Sequence, residues 1–213
     1  PLSSSAASDV YKRQGASWPS VGGDGTWLGV FEAAGIPVVP FAASNAGVLV
    51  AWSDPLLERF EGAPIKNAAL TAGDRTVRGE PTITSTGLEG GPIYALGPQL
   101  RAGHDLVVDL QPDLDVEALA ARLADRRRAK DSTSTWLRKA GFAPVDVAVL
   151  LDATGNQLPT EPAEIAALAK AVPVAVDGLA PIDRAISTAG GVALDTLDDL
   201  SLIHISEPTR HCL

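Results

Sequence analysis

The sequence is short of the residues that hold metals or form covalent intermediates through sulfur. It has one cysteine, Cys212, and three histidines, His104, His204 and His211. It has no Walker phosphate loop, no Cys-x-x-Cys pair and no paired-carboxylate signature. Basic residues are outnumbered, 17 Lys and Arg against 26 Asp and Glu, giving a formal net charge of −9. That balance disfavours nonspecific nucleic-acid binding, which rests on cationic contacts to phosphate. No apolar run approaches the roughly 20 residues that a membrane-crossing helix needs. Aromatic residues make up only 5%, so Ala, Val, Leu and Ile must build most of the core.

The two ends of the chain are related to each other. Asp9-Val10-Tyr11-Lys12-Arg13-Gln14 can be encoded as GAT GTG TAT AAG AGA CAG, and the reverse complement of that string translates as Leu-Ser-Leu-Ile-His-Ile, the sequence of Leu200 to Ile205. The shared oligonucleotide resembles a transposase adapter used to fragment DNA for sequencing, and Ser206 to Arg210 continue like its tail. Residues 1–14 and 200–213 are therefore expected to be translated adapter and are set aside, as tags and fusion scars are. Setting them aside removes Cys212, His204 and His211 and takes the net charge to −10. The remainder has no thiol nucleophile, no disulfide and no Cys/His metal site, and no metal-ligating residue is nominated. Its length suits one ordinary domain or two small ones.

Residues 15–25 read as a loop punctuated by Gly, Ser and Pro. A short helix is expected over residues 26–34, with Trp27, Val30, Phe31 and Ala34 at helical spacing, Asp24 as cap and Gly35 as stop. A strand over residues 36–41 follows. From Val48 to about Asp109 the pattern is β. It includes the short apolar run of residues 48–52 and a hairpin of residues 68–71 and 75–78 around Ala72-Gly73-Asp74. Further strands are expected around Ile83 and over residues 106–110. Short strands with frequent turns suggest a small barrel or sandwich. One helix, residues 92–101, interrupts them. From Asp115 to Ala171 the chain reads as four helices: one from Val116, then residues 133–140, 145–151 and 162–171. It returns to extended structure at residues 173–176 and again before the Gly190-Gly191 pair.

Three glycine-rich stretches carry what chemistry there is. Gly15-Ala16-Ser17-Trp18-Pro19, followed by Gly22-Gly23-Asp24-Gly25, offers unobstructed backbone N–H groups ahead of a helix, an environment suited to a phosphate, a carboxylate or the polar edge of a flavin, with Trp18 able to cover a ring. Ser187-Thr188-Ala189-Gly190-Gly191-Val192 would let backbone approach a flat ligand. Each alone also reads as a plain turn or a bulge. Thr86 to Pro92 is either the lining of a substrate pocket or a strand-to-helix connection. Arg126-Arg127-Arg128 with Lys130 reads as a solvated helix end, His104 as a turn residue, and the acidic run of residues 195–199 as solvent-facing.

In order and spacing these stretches, together with PVVPFAASNAGVLVAW, RFEGAPIKNAAL, TSTGLEGGPIYAL and AISTAGGVALDTLDD, resemble the BaiN/RdsA-type NAD(P)/FAD-dependent oxidoreductases, closest to a bacterial flavoprotein subgroup, over residues 15–199. The resemblance implies an α+β protein: a β-barrel-like insert with a small helical part, set into a Rossmann-like FAD-binding domain of which only fragments are present. Residues 15–40 would end the first FAD-binding portion. Residues 41–113 would be the barrel-like part of the insert and 114–172 its helical part, with 173–199 returning to the FAD domain. The resemblance places Gly15, Ala16, Ser17, Trp18 and Pro19, and Thr188, Ala189, Gly190, Gly191 and Val192, beside the flavin. It names no catalytic acid or base.

Two parts of the family pattern are missing: the opening strand with its G-x-G-x-x-G loop, where the FAD pyrophosphate sits on a helix N-terminus, and the closing Gly-Glu and Thr-Gly-Gly segment. The expectation is an internal fragment of a flavin-dependent enzyme that binds FAD weakly or not at all. The parent would be cytoplasmic and would act on a small-molecule substrate, with NAD(P)H as a partner and neither nucleic acid nor membrane involved. The rival expectation is a cofactor-free β-plus-helical interaction module presenting Trp52 or the basic run to a partner.

Overall fold

A computed structural model describes residues 15–17, 19–21 and 23–193. The expected adapter segments 1–14 and 200–213, the acidic run 195–199 and Trp18 lie outside the described residues. The chain forms two units, one of the described residues up to Ala46 and from Ala180 on, the other of Gly47–Leu179. The class is α+β.

In the smaller unit a 3-10 turn, Pro19–Val21, precedes helix α1, Leu28–Ala33. Gly35 stops α1 in the left-handed conformation (φ 75°), donating its N–H to Glu32. Strand β1, Val38–Ala43, then pairs antiparallel with β10, Thr188–Val192.

In the larger unit two antiparallel sheets and the helices around them share one hydrophobic core. Strands β2 (Val48–Leu49), β5 (Thr82–Thr84), β6 (Gly87–Glu89) and β9 (Gly178–Leu179) form a sheet in the order β5-β6-β2-β9. Strands β3 (Ala68–Ala72), β4 (Arg75–Gly79), β7 (Leu106–Asp109) and β8 (Val172–Val174) form a second, in the order β4-β3-β7-β8. Both sheets are open, so the expected barrel is not a closed one. The second sheet has edges that resist further pairing: β4 carries Arg75 and Arg78, and β8 carries Pro173, which cannot donate to a ladder. The hairpin turns at Gly73 (φ 58°), where the sequence placed it.

Helix α2 (Asp54–Phe60) stands in a region that reads as β. Its signal was Ser53 followed by Pro55 in the first turn, too brief for periodicity to register. The helix expected over 92–101 is two, α3 (Gly91–Ala95) and α4 (Gly97–Arg101), because Pro98 supplies no N–H to carry one helix through Leu96. Of the apolar run 48–52, only Val48 and Leu49 are strand.

The four later helices match their expected positions closely: α5 (Val116–Arg126), α6 (Thr133–Lys139), α7 (Pro144–Ala153) and α8 (Pro162–Lys170). Asp115 caps α5 by accepting from Ala118 N–H at 2.7 Å, and Ser132 caps α6 by accepting from Thr135 N–H at 3.3 Å. The indole N–H of Trp136 donates to the Leu123 carbonyl at 2.8 Å, fastening α6 to α5. Lys170, ending α8, contacts Asp109 at 2.6 Å and donates to the carbonyl oxygens of Gln111 and Leu114, tying the helices to the end of β7. Among the described residues no helix is long and apolar enough to cross a membrane.

Candidate functional site

The nominated glycine stretches fall in the smaller unit, and there they meet. Gly15 lies so close to Thr188 that a Cβ built on it would strike the Thr188 hydroxyl. A Cβ on Gly25 would come within 2.8 Å of the Ala16 Cβ and 2.9 Å of the Phe41 ring. Residues 15–17 are thus half-buried against the start of β10 and the ring of Phe41. The approach depends on Gly25 (φ 70°), set in a turn where the Asp24 carboxylate accepts from Thr26 N–H at 3.1 Å and Thr26 Oγ1 at 2.9 Å. The same two hydrogen bonds, the backbone one first, hold the Asp24 carboxyl below its ordinary pKa.

Trp27 stacks edge-to-face on Phe31 at 5.4 Å and on Phe41 at 5.5 Å between ring centroids. Gly191 is buried beside them, and a Cβ there would sit 3.7 Å from Phe41 and 3.8 Å from Trp27. Trp27 Nε1 is buried with no acceptor among the described residues. Sequence periodicity put Trp27 and Phe31 on one helix face together with Val30 and Ala34, but Val30 is 68% exposed and α1 buries no residue fully. The missed feature is the aromatic trio, whose third ring comes from Phe41, a neighbour that only the tertiary fold supplies.

The Gly190-Gly191 pair is not a turn. It lies within β10, opposite a bulge in β1: Val39 pairs with Gly191 and Ala42 with Ala189, so Pro40 and Phe41 together face Gly190. Gly190 (φ 100°) has no room for a side chain, because its Cβ would strike the Pro40 carbonyl oxygen. Glycine here is needed by the protein's own packing. Gly190→Ala is expected to part the ribbon locally. Amide exchange at Val39, Ala42 and Ala189 should rise about tenfold or more while the larger unit stays protected. Unchanged exchange in the ribbon would contradict this assignment. Of the remaining nominees, Thr188, Ala189 and Val192 are half-buried, and Pro19 is exposed at the start of its 3-10 turn.

The other candidates resolve as structure. Thr86 to Pro92 contains β6 at the interior of its sheet, with Leu88 fully buried, and leads directly into α3. Arg127 lies 4.9 Å over the Trp136 ring and donates to the Thr160 carbonyl at 2.6 Å. Arg128 donates to the carbonyl oxygens of Asp125 and Arg127 at the C-terminal end of α5. His104 packs over the hairpin turn, 3.1 Å from where a Gly73 Cβ would be.

A family model described as the HI0933-like protein barrel and H2TH domain matches residues 42–187. No curated protein matches the chain.

Proposed function

Because that match spans more than half of the sequence, the chain belongs to the HI0933-like family of flavoproteins, and from that premise we propose that it is an internal segment of an FAD-dependent oxidoreductase whose smaller unit holds the ring side of the flavin site. The carrying observation is the meeting of residues 15–17 with β10, since Gly15 and Thr188 adjoin across most of the chain.

FAD, when bound, supplies the electron-transfer chemistry, and the parent protein draws reducing equivalents from NAD(P)H. The described residues suit only the uncharged part of such a cofactor. Gly15, Ala16 and Ser17 form a small-sided, half-buried stretch, the Trp27–Phe31–Phe41 cluster packs with the buried Gly191, and Trp27 Nε1 is a spare donor. Nothing comparable suits the pyrophosphate: residues 15–19 and 188–192 carry no charged side chain, and α1 has only six residues.

The expected behaviour follows from that division. The 213-residue chain should bind FAD weakly, with a dissociation constant of ~0.1 mM or above, and riboflavin about as well, because the phosphates add nothing. A titration followed by flavin fluorescence measures both. Tight binding that prefers FAD over riboflavin would place a pyrophosphate site within this chain and overturn the proposal.

A further inference from the structure

The geometry points to a second binding site, in the larger unit and independent of the flavin, for a small organic cation with separated positive charges, of the diamine or polyamine class. A cleft of about 590 Å³ opens between the Val50–Trp52 segment, the start of β7, the end of α7 and β8. That size is typical of sites for small molecules. Buried Val50, Leu106, Val149 and Val174 give it an apolar interior. Trp52 forms part of the wall, its ring fixed by donation from Nε1 to the Gly87 carbonyl at 2.9 Å.

The charge of the lining is one-sided. Asp105, Asp152 and Asp177 line the cleft, and among the described residues no Lys, Arg or His does. None of the three carboxylates is in an ion pair with another described residue. Asp152 is held in place through Oδ1, which accepts from both the backbone N–H and the hydroxyl of Ser53. An anionic ligand is therefore opposed. A single metal ion is not the complement either, because among the described residues no three His, Cys, Asp or Glu side chains come close enough together to hold one. Carboxylates that share a cleft but do not converge are matched by a molecule whose positive charges are spaced along an apolar body. Its methylenes would lie on the valines and its ammonium groups would reach the carboxylates, with the Trp52 face adding attraction for a cation. Asp105 and Asp177 also border an adjoining pocket of about 210 Å³, which His104 lines as well.

Spermidine is the probe, titrated calorimetrically into the full chain at low salt. One spermidine should bind per chain, more tightly than n-butylamine. Asp105→Asn with Asp177→Asn, neither side chain making a hydrogen bond to another described residue, should weaken binding about tenfold without lowering the thermal midpoint. Asp74→Asn with Glu58→Gln, carboxylates outside the cleft, should leave it unchanged. Absence of binding, equal affinity for n-butylamine, or equal loss in both double variants would each overturn the proposal, the last because it would reduce the effect to general attraction by an acidic chain.

Discussion

Gly87→Ala is expected to cost the larger unit about 3 kcal/mol, the upper part of the range for forcing extra volume into a packed interior. Gly87 sits in β6 between β5 and β2, pairing with Thr84 on one side and Leu49 on the other. A Cβ there would collide with the Val48 carbonyl oxygen and stand 2.8 Å from both the Val48 carbonyl carbon and the Val50 nitrogen. These are backbone atoms of a paired strand, so they cannot swing aside as a side-chain tip could. Relief would require β2 to move away from β6, which would also strain the Trp52 bond to the Gly87 carbonyl and the Val50 N–H bond to Thr86. Gly91→Ala is the control: its Cβ would meet nothing within 4 Å, and it lies in helix α3, where alanine is preferred by up to about 1 kcal/mol. Urea unfolding of both variants tests the contrast. Similar losses for the two would show that the close approach at Gly87 is not what requires glycine.

The second large effect depends on pH. Asp146, the third residue of α7, is 4% exposed. One carboxylate oxygen accepts from the Ala143 N–H at 2.8 Å, and the other is buried with no partner among the described residues. Burial raises its pKa from 3.8 to about 6, against the opposing pull of the Ala143 hydrogen bond. The folded state therefore holds the proton more tightly than the unfolded state. The stability Asp146 contributes is fully present below about pH 3.8 and is lost as the pH rises through about 6. By neutral pH the accumulated loss approaches about 3 kcal/mol. Asp146→Asn keeps an acceptor for Ala143 and cannot ionise. The stability of the variant minus that of the parent chain should then rise by about 2.4 kcal/mol between pH 4 and pH 7.5. The difference is the right quantity, because carboxylates with lowered pKa, such as Asp113 bonded to Asn67 and Arg78, act in the opposite direction in both proteins. Parallel stability curves would mean that Asp146 is not ionised from within the core.

What could be read from the sequence was local. The 73–74 hairpin needed only a glycine between two runs of strand pattern, and α5 to α8 were legible as one stretch of helical pattern from Asp115 to Ala171. What was missed depended on neighbours. β6 reads as a connection because Gly87 and Glu89 have poor strand propensity, and only pairing with β2 and β5 makes them strand. The Gly190-Gly191 pair reads as a turn or a bulge; that it lies within a paired strand, opposite the bulge at Pro40 and Phe41, depends on Val39 and Ala42, which lie far away along the chain. The candidate site divided in the same way. Its glycines were visible, whereas the contact of Gly15 with Thr188 and the clustering of Trp27 with Phe41 carry no local signature. The carboxylate-lined cleft likewise draws on four separate segments, none of them distinctive alone.

The central claim is that this chain carries the ring side of a flavin site whose phosphate-binding side lies elsewhere in a longer protein. Its most direct test is to isolate a longer reading frame containing residues 15–199 and to measure flavin absorbance per chain in the purified product. The account predicts about one FAD per chain in the longer protein, and an upstream G-x-G-x-x-G that abolishes retention when its glycines are replaced. A longer protein that purifies without flavin and does not bind added FAD would contradict it.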